Sequence, residues 1–189
     1  YILFFRHAER TKWQNVAVYD AMEAELHNNG QNSSRFSEND NFSDAVCLNK
    51  RGKIQASMMK EIVEHTALQI GYVVTSPSCR ARQTADLAFG GYDKIEKLLL
   101  HNGIYTEDFY AWQDRLKTFL NGIPIKEGTN TVITAHGKVI HGELFANKIK
   151  RPNEGGPDLN PSEGGFFVFS RNDDGLKFEH QFTHFGGFS

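Results

Sequence analysis

The sequence predicts an α/β domain: a mostly parallel sheet layered with helices and closed at its C-terminal end by an antiparallel hairpin. Short apolar runs alternate with amphipathic stretches as far as Ala135, the pattern of strands and helices packed in layers. Beyond that, Gly165–Ser170 and Leu176–Phe185 are two extended runs joined through Asp173-Asp174-Gly175, a hairpin turn composition. A length of 189 residues suits a single domain, which at this size buries roughly 70% of the surface its unfolded chain exposes without needing cross-links or structural metal.

Tyr1–Phe5 reads as the first buried strand. Over Asn49 to Leu68 two helical stripes adjoin, Ile54, Met58, Ile62 and Met59, Val63, Ala67, with Asn49 as the N-cap. Gly71–Thr75 is the second strand, stopped by Ser76-Pro77, and a helix over Cys79–Phe89 ends at Gly90-Gly91, where a left-handed residue costs little. Thr106 to Leu120 spaces Phe109, Leu116, Phe119 and Leu120 as a helix does. Thr131–Ala135 is the third strand, and another helix is expected after Gly137. In the final run Phe178, His180, Phe182 and His184 share one face at period two.

The segment from Trp13 to Val46 is the least regular. Asn28 to Ser34 and Ser37 to Ser43 are polar and carry no buried period, so residues 13–46 form a long insertion in the one domain, a surface loop or partial lid.

Composition narrows the function. Twenty-one Lys and Arg against 23 Asp and Glu give a net charge of -2, which argues against a general nucleic-acid binder. No apolar run approaches the roughly 20 residues of a membrane span. Cys47 and Cys79 are too few for a disulfide scaffold, a single bridge between them is left open without support from the sequence, and Cys79 reads as a small buried residue rather than a nucleophile. The cytoplasm is the expected compartment, and because the chain opens at Tyr1 rather than Met a secreted or periplasmic location stays open.

Chemistry gathers where three strands end: Arg6-His7-Ala8-Glu9, then Ser76-Pro77 to Thr84-Ala85 with Arg80 and Arg82, then Ala135-His136-Gly137. In open α/β sheets these carboxyl ends line the ligand crevice. Two arginines and two histidines brought together there would repel unless an anion joined them, and phosphate matches the guanidinium fork. A neutral imidazole with one free nitrogen can attack phosphorus and form a covalent phosphohistidine, while the cations stabilise the transferring phosphoryl group. The scheme calls for no metal and no cofactor.

Arg6-His7-Ala8-Glu9, the stretch Leu48 to Ala56, the run from Ser76 to Ala85, and His136-Gly137 together resemble the ordered motifs of the histidine phosphatase superfamily, also called phosphoglycerate mutase-like. The resemblance implies a three-layer α/β/α sandwich with a mostly parallel sheet. It also implies that His7 accepts the phosphoryl group, that Arg6 and Arg80 bind phosphate, and that His136 completes the pocket. Ala8 stands where that family usually has glycine. The mutase-type stretch around the acidic proton donor is not evident, and the region from Ile104 to Tyr110 is nearer to small SixA-type phosphatases. Glu107 is the first candidate for the acid, with Asp108 and Glu9 behind it.

A metal-independent phosphatase acting on a small phosphorylated substrate or a phosphoprotein, with inorganic phosphate as product, is the resulting expectation. A mutase-type phosphoryl transfer and a non-catalytic phospho-ligand module are the alternatives. Other residues have plainer expectations. Arg82 should be solvated or ion-paired, His141 should pack on its helix, and Glu163-Gly164-Gly165 should be a turn near the rim. His180 and His184 lack a third ligand for a metal, and Lys148, Lys150 and Arg151 read as a solvated basic run. The sequence does not fix the oligomeric state.

Overall fold

Six strands form one sheet: β1 (Ile2–Arg6), β2 (Ile70–Thr75), β3 (Lys94–Ile95), β4 (Asn130–Ala135), β5 (Phe166–Asn172) and β6 (Gly175–Phe182). Their order in the computed structural model is β3-β2-β4-β1-β5-β6. The structure describes residues 1–16, 18–22, 44–100, 108–147, 149, 152–154, 156–157 and 159–188. The first four strands run parallel, and β5 and β6 close the sheet antiparallel.

Alternation along β1 builds the two halves of the core. Ile2 and Phe4 face one side with Ile133, Trp112, Leu116 and Phe167, whereas Leu3 and Phe5 face the other with Met59, Ala85, Val132 and Phe166. A strand buried on both faces has to be apolar at every position, which is why the opening run carries no polar residue before Arg6. On one face lies α3 (Phe109–Gly122), and on the other lie α1 (Lys50–His65) and α2 (Cys79–Phe89).

The helix ends follow their expected chemistry. Asn49 caps α1, its side chain accepting from Gly52 N–H at 2.8 Å, and Gly90 closes α2 in the left-handed region at φ 78°. The described part of the third helix begins at Phe109 behind Asp108, because residues 101–107 lie outside the described set.

Two expectations are corrected, and two that the sequence left open are decided. Ile54 and Met58 are 53% and 61% exposed, so the first turns of that stripe face outward, whereas Met59, Val63 and Ile62 pack against Leu3, Phe5 and Val132 of the sheet and Gly52 and Ala56 are buried beside Ala8 and Glu9. After Gly137 there is a turn with Lys138 at φ 62° and one 3-10 turn at Gly142–Leu144, not an α-helix; two glycines and a left-handed residue disfavour a regular helix there. Cys47 and Cys79 form a disulfide. Arg82 is buried rather than solvated: its Nε donates to the Pro77 carbonyl at 3.0 Å and its charge acts on Asp86, in keeping with the ion-paired alternative.

Candidate active site

Strand order explains why the three motifs meet. β2, β4 and β1 are consecutive neighbours, so their carboxyl ends deliver Ser76, His136 and His7 side by side. The ladder continues one step past the strands: His7 N–H donates to the Ala135 carbonyl at 2.9 Å and Ser76 N–H to the Thr134 carbonyl at 2.9 Å. The His7 and His136 rings lie edge to face with centroids 5.3 Å apart.

His7 is buried, and its Nδ1 sits 2.7 Å from the Ala8 carbonyl. A carbonyl only accepts, so the proton is on Nδ1 and Nε2 keeps its lone pair. Burial, then the Arg80 guanidinium, push the His7 pKa well below 6.5 and keep the ring neutral.

The pocket holds its ring of cations tightly. Arg6 donates to the Pro161 carbonyl at 2.9 Å and pairs with Glu163 at 3.7 Å. Arg80, fully buried, reaches Asp20 with both terminal nitrogens, and its Nη2 donates to His136 Nδ1 at 3.1 Å. Because arginine only donates, His136 must carry its proton on Nε2, which faces Ser76 Oγ at 2.9 Å and Ser78 Oγ at 3.3 Å. Among the described residues, the buried Nε atoms of Arg6, Arg10 and Arg80 have no hydrogen-bond partner.

The Leu48–Ala56 motif acts as scaffold. Gln55 accepts from Glu9 N–H and donates to the Glu163 carbonyl, both at 3.0 Å, while Asn49 Nδ2 donates to Glu9 Oε1. Gly52 lies so close to Glu9 that a Cβ there would stand 1.9 Å from the Glu9 carbonyl oxygen, which leaves glycine as the residue that fits. From α2, Gln83 accepts from Leu48 N–H at 2.8 Å and Thr84 Oγ1 from Ala8 N–H at 3.0 Å. Ala8, wholly buried against this frame, has room for one methyl group.

Arg6, His7, Arg80 and His136 therefore come together at one end of the sheet. Glu107 lies outside the described residues, as do residues 23–43 of the insertion and Lys148, Lys150 and Arg151. Asp108 caps α3, accepting from the Tyr110 and Ala111 N–H groups, and Glu9 is held by Asn49 and Arg51. Glu163 stands in the expected turn, with Gly164 at φ 80°, and accepts from Arg10 N–H at 3.4 Å. His141 packs edge-on to Phe109 at 5.2 Å, and His180 stacks its edge on Phe182 at 4.5 Å.

Two groups escaped the reading of the sequence. Arg10 was visible as a third cation four residues after Arg6, and Arg80 and Arg6 both lower its pKa, after burial. Asp20 gave no signal, since nothing in the run from Val16 to Met22 marks a carboxylate that ends up fully buried on Arg80.

No family model matches the sequence, and no curated protein matches it. Solved structures do. The protein histidine phosphatase SixA, solved with tungstate, superposes with a TM-score of 0.57 at 15% identity, covering 100% of this chain and 99% of its own. The fold is that of the histidine phosphatases. Two further structures share the histidine phosphatase fold. The alpha-ribazole phosphatase from Shigella flexneri gives 0.55 at 15% identity over 95% of each chain. A phosphoglycerate mutase from Thermus thermophilus gives 0.52 at 18% identity over 96% of this chain and 97% of that one.

Proposed function

We propose that the protein is a metal-independent phosphatase whose nucleophile is His7 Nε2. The observation that carries this reading is the tautomer of His7: its Nδ1–H is bonded to Ala8, its ring is neutral, and its free nitrogen stands among Arg6, Arg10, Arg80 and His136. Nε2 attacks phosphorus as the bond to the leaving oxygen breaks. Water then attacks the phosphohistidine, the P–N bond breaks, and phosphate and neutral His7 are regained. The substrate is a small phosphorylated compound or a phosphoprotein. Incubation with assorted phosphoesters should release phosphate whether or not a chelator is present, and acid-labile phosphate should be trapped on His7. Retention of the phosphoryl group on an acceptor would instead favour mutase chemistry, and the absence of any turnover would favour a binding module.

Glu107 is our candidate for the acid that protonates the leaving oxygen, a role worth roughly 10²–10⁴-fold. Glu107→Gln should slow alkyl phosphate hydrolysis far more than p-nitrophenyl phosphate hydrolysis, whose leaving group needs little help. Equal losses on both would remove Glu107 from the role. The Cys47–Cys79 bridge favours an oxidising compartment over the cytoplasm. Thiol labelling of freshly isolated protein should find both cysteines blocked until a reductant is added; free thiols would restore the cytoplasmic expectation.

A further inference from the structure

Arg80 carries five N–H donors, and the protein already engages four of them. Nη1 donates to Asp20 Oδ1 at 2.6 Å and to the Val46 carbonyl at 3.4 Å, and Nη2 donates to Asp20 Oδ2 at 2.7 Å and to His136 Nδ1 at 3.1 Å. Nε is the donor left over. Asp20 thus takes from Arg80 the same two-point grip that a guanidinium offers to phosphate. Both side chains are fully buried, so this is no surface ion pair weakened by water.

The contact is built into the fold. Asp20 belongs to helical residues 18–22, and its neighbour Tyr19 packs with Trp13 on a small cluster of Ala45, Val46, Cys47 and Cys79. The disulfide in that cluster joins the residue after Val46 to the residue before Arg80. The segment bearing the carboxylate and the helix bearing the guanidinium are therefore packed on one cross-link.

We propose that Asp20 sets the affinity of the site: it is an internal carboxylate that competes with phosphate for the Nη atoms of Arg80. The proposal rests on the phosphatase reading above and deepens it. An enzyme that ends every turnover with phosphate in its pocket has to let go of it, and several guanidinium groups converging on one dianion would hold it hard. Asp20 lowers that grip whether the phosphate displaces it or settles for Nε alone. In both cases its removal frees two N–H groups and one positive charge.

The test is calorimetric titration of inorganic phosphate and of tungstate into wild type, Asp20→Asn and Asp20→Ala, with thermal melts with and without tungstate. In both variants Kd for each ion should fall by about tenfold or more, since charge-assisted contacts are gained. Without the ion the variants should melt lower than wild type, because Arg80 is left buried and unpaired, and tungstate should raise their Tm by more than it raises that of wild type. With p-nitrophenyl phosphate, KM should fall while kcat does not rise. A purely structural role predicts none of this gain. Variants that melt cooperatively in tungstate yet bind both ions no more tightly than wild type would overturn the proposal, while wild-type turnover would leave the phosphatase reading standing. Wild type and variants that neither bind the ions nor hydrolyse any phosphoester would overturn that reading as well.

Discussion

His7→Ala should lower kcat/KM for p-nitrophenyl phosphate by about 10⁴-fold or more and abolish the acid-labile phosphoenzyme, because no other described group at the site offers a free nucleophilic nitrogen. Both ring nitrogens of His136 face protein groups, Arg80 on one side and Ser76 and Ser78 on the other. Steady-state rates with acid-quench trapping decide the matter, and a phosphoenzyme surviving in His7→Ala would place the chemistry elsewhere. The same residue fixes a pH dependence. Burial and Arg80 hold the His7 pKa well below 6.5, so the acid limb of kcat/KM assigned to it should fall below that pH. In the unfolded chain His7 takes up a proton near its ordinary pKa of about 6.5, which the folded chain refuses. The unfolded state then binds more protons, so the contribution of His7 to stability is flat above about pH 6.5 and declines as the pH falls below it. Denaturant melts of wild type and His7→Ala across that range read the difference.

Arg80→Ala should be the most destabilising change at the site. It leaves the Asp20 carboxylate, wholly buried, without its cation, a loss of about 3–5 kcal/mol in comparable buried pairs. It also removes a donor that His136 Nδ1 accepts from and, under the proposed phosphatase mechanism, a charge that would stabilise phosphoryl transfer, for an expected fall of roughly 10²–10³-fold in kcat. The double variant Arg80→Ala with Asp20→Ala separates the two effects. It should recover much of the lost stability, since no unpaired charge remains, and none of the lost activity. Recovery of activity together with stability would mean that Arg80 serves the fold alone.

The parts of the molecule legible in its sequence are those written in local pattern. The run Tyr1–Phe5 announces a strand because both of its faces are buried, and Asn49 and Gly90 bound their helices through short-range caps. Arg6, His7, Arg80 and His136 could be gathered in advance because each lies at or shortly past the carboxyl end of a strand, and strand ends converge. What escaped is long-range. Asp20 becomes part of the site by a contact across sixty positions of sequence, and the Cys47–Cys79 bridge depends on how two loops pack. Ile54 and Met58 satisfied helical spacing yet face outward, since periodicity finds a stripe and not the surface that covers it. Gly137 to Ala146 carried apolar residues enough for a helix, but Lys138 turns left-handed instead.

The place of β1 in the sheet has a consequence for how the chain comes to fold. Both of its partners, β4 and β5, are encoded more than a hundred residues downstream, pairing Ile2 with Thr131 and with Phe169. On the ribosome β1 is made before either partner and stays unpaired until β4, and then β5, have followed it. Such distant pairing makes for slow maturation and for dependence on helpers that shield sticky segments. Nascent chains halted before Asn130 would display both rims of that strand to any neighbour able to extend a sheet.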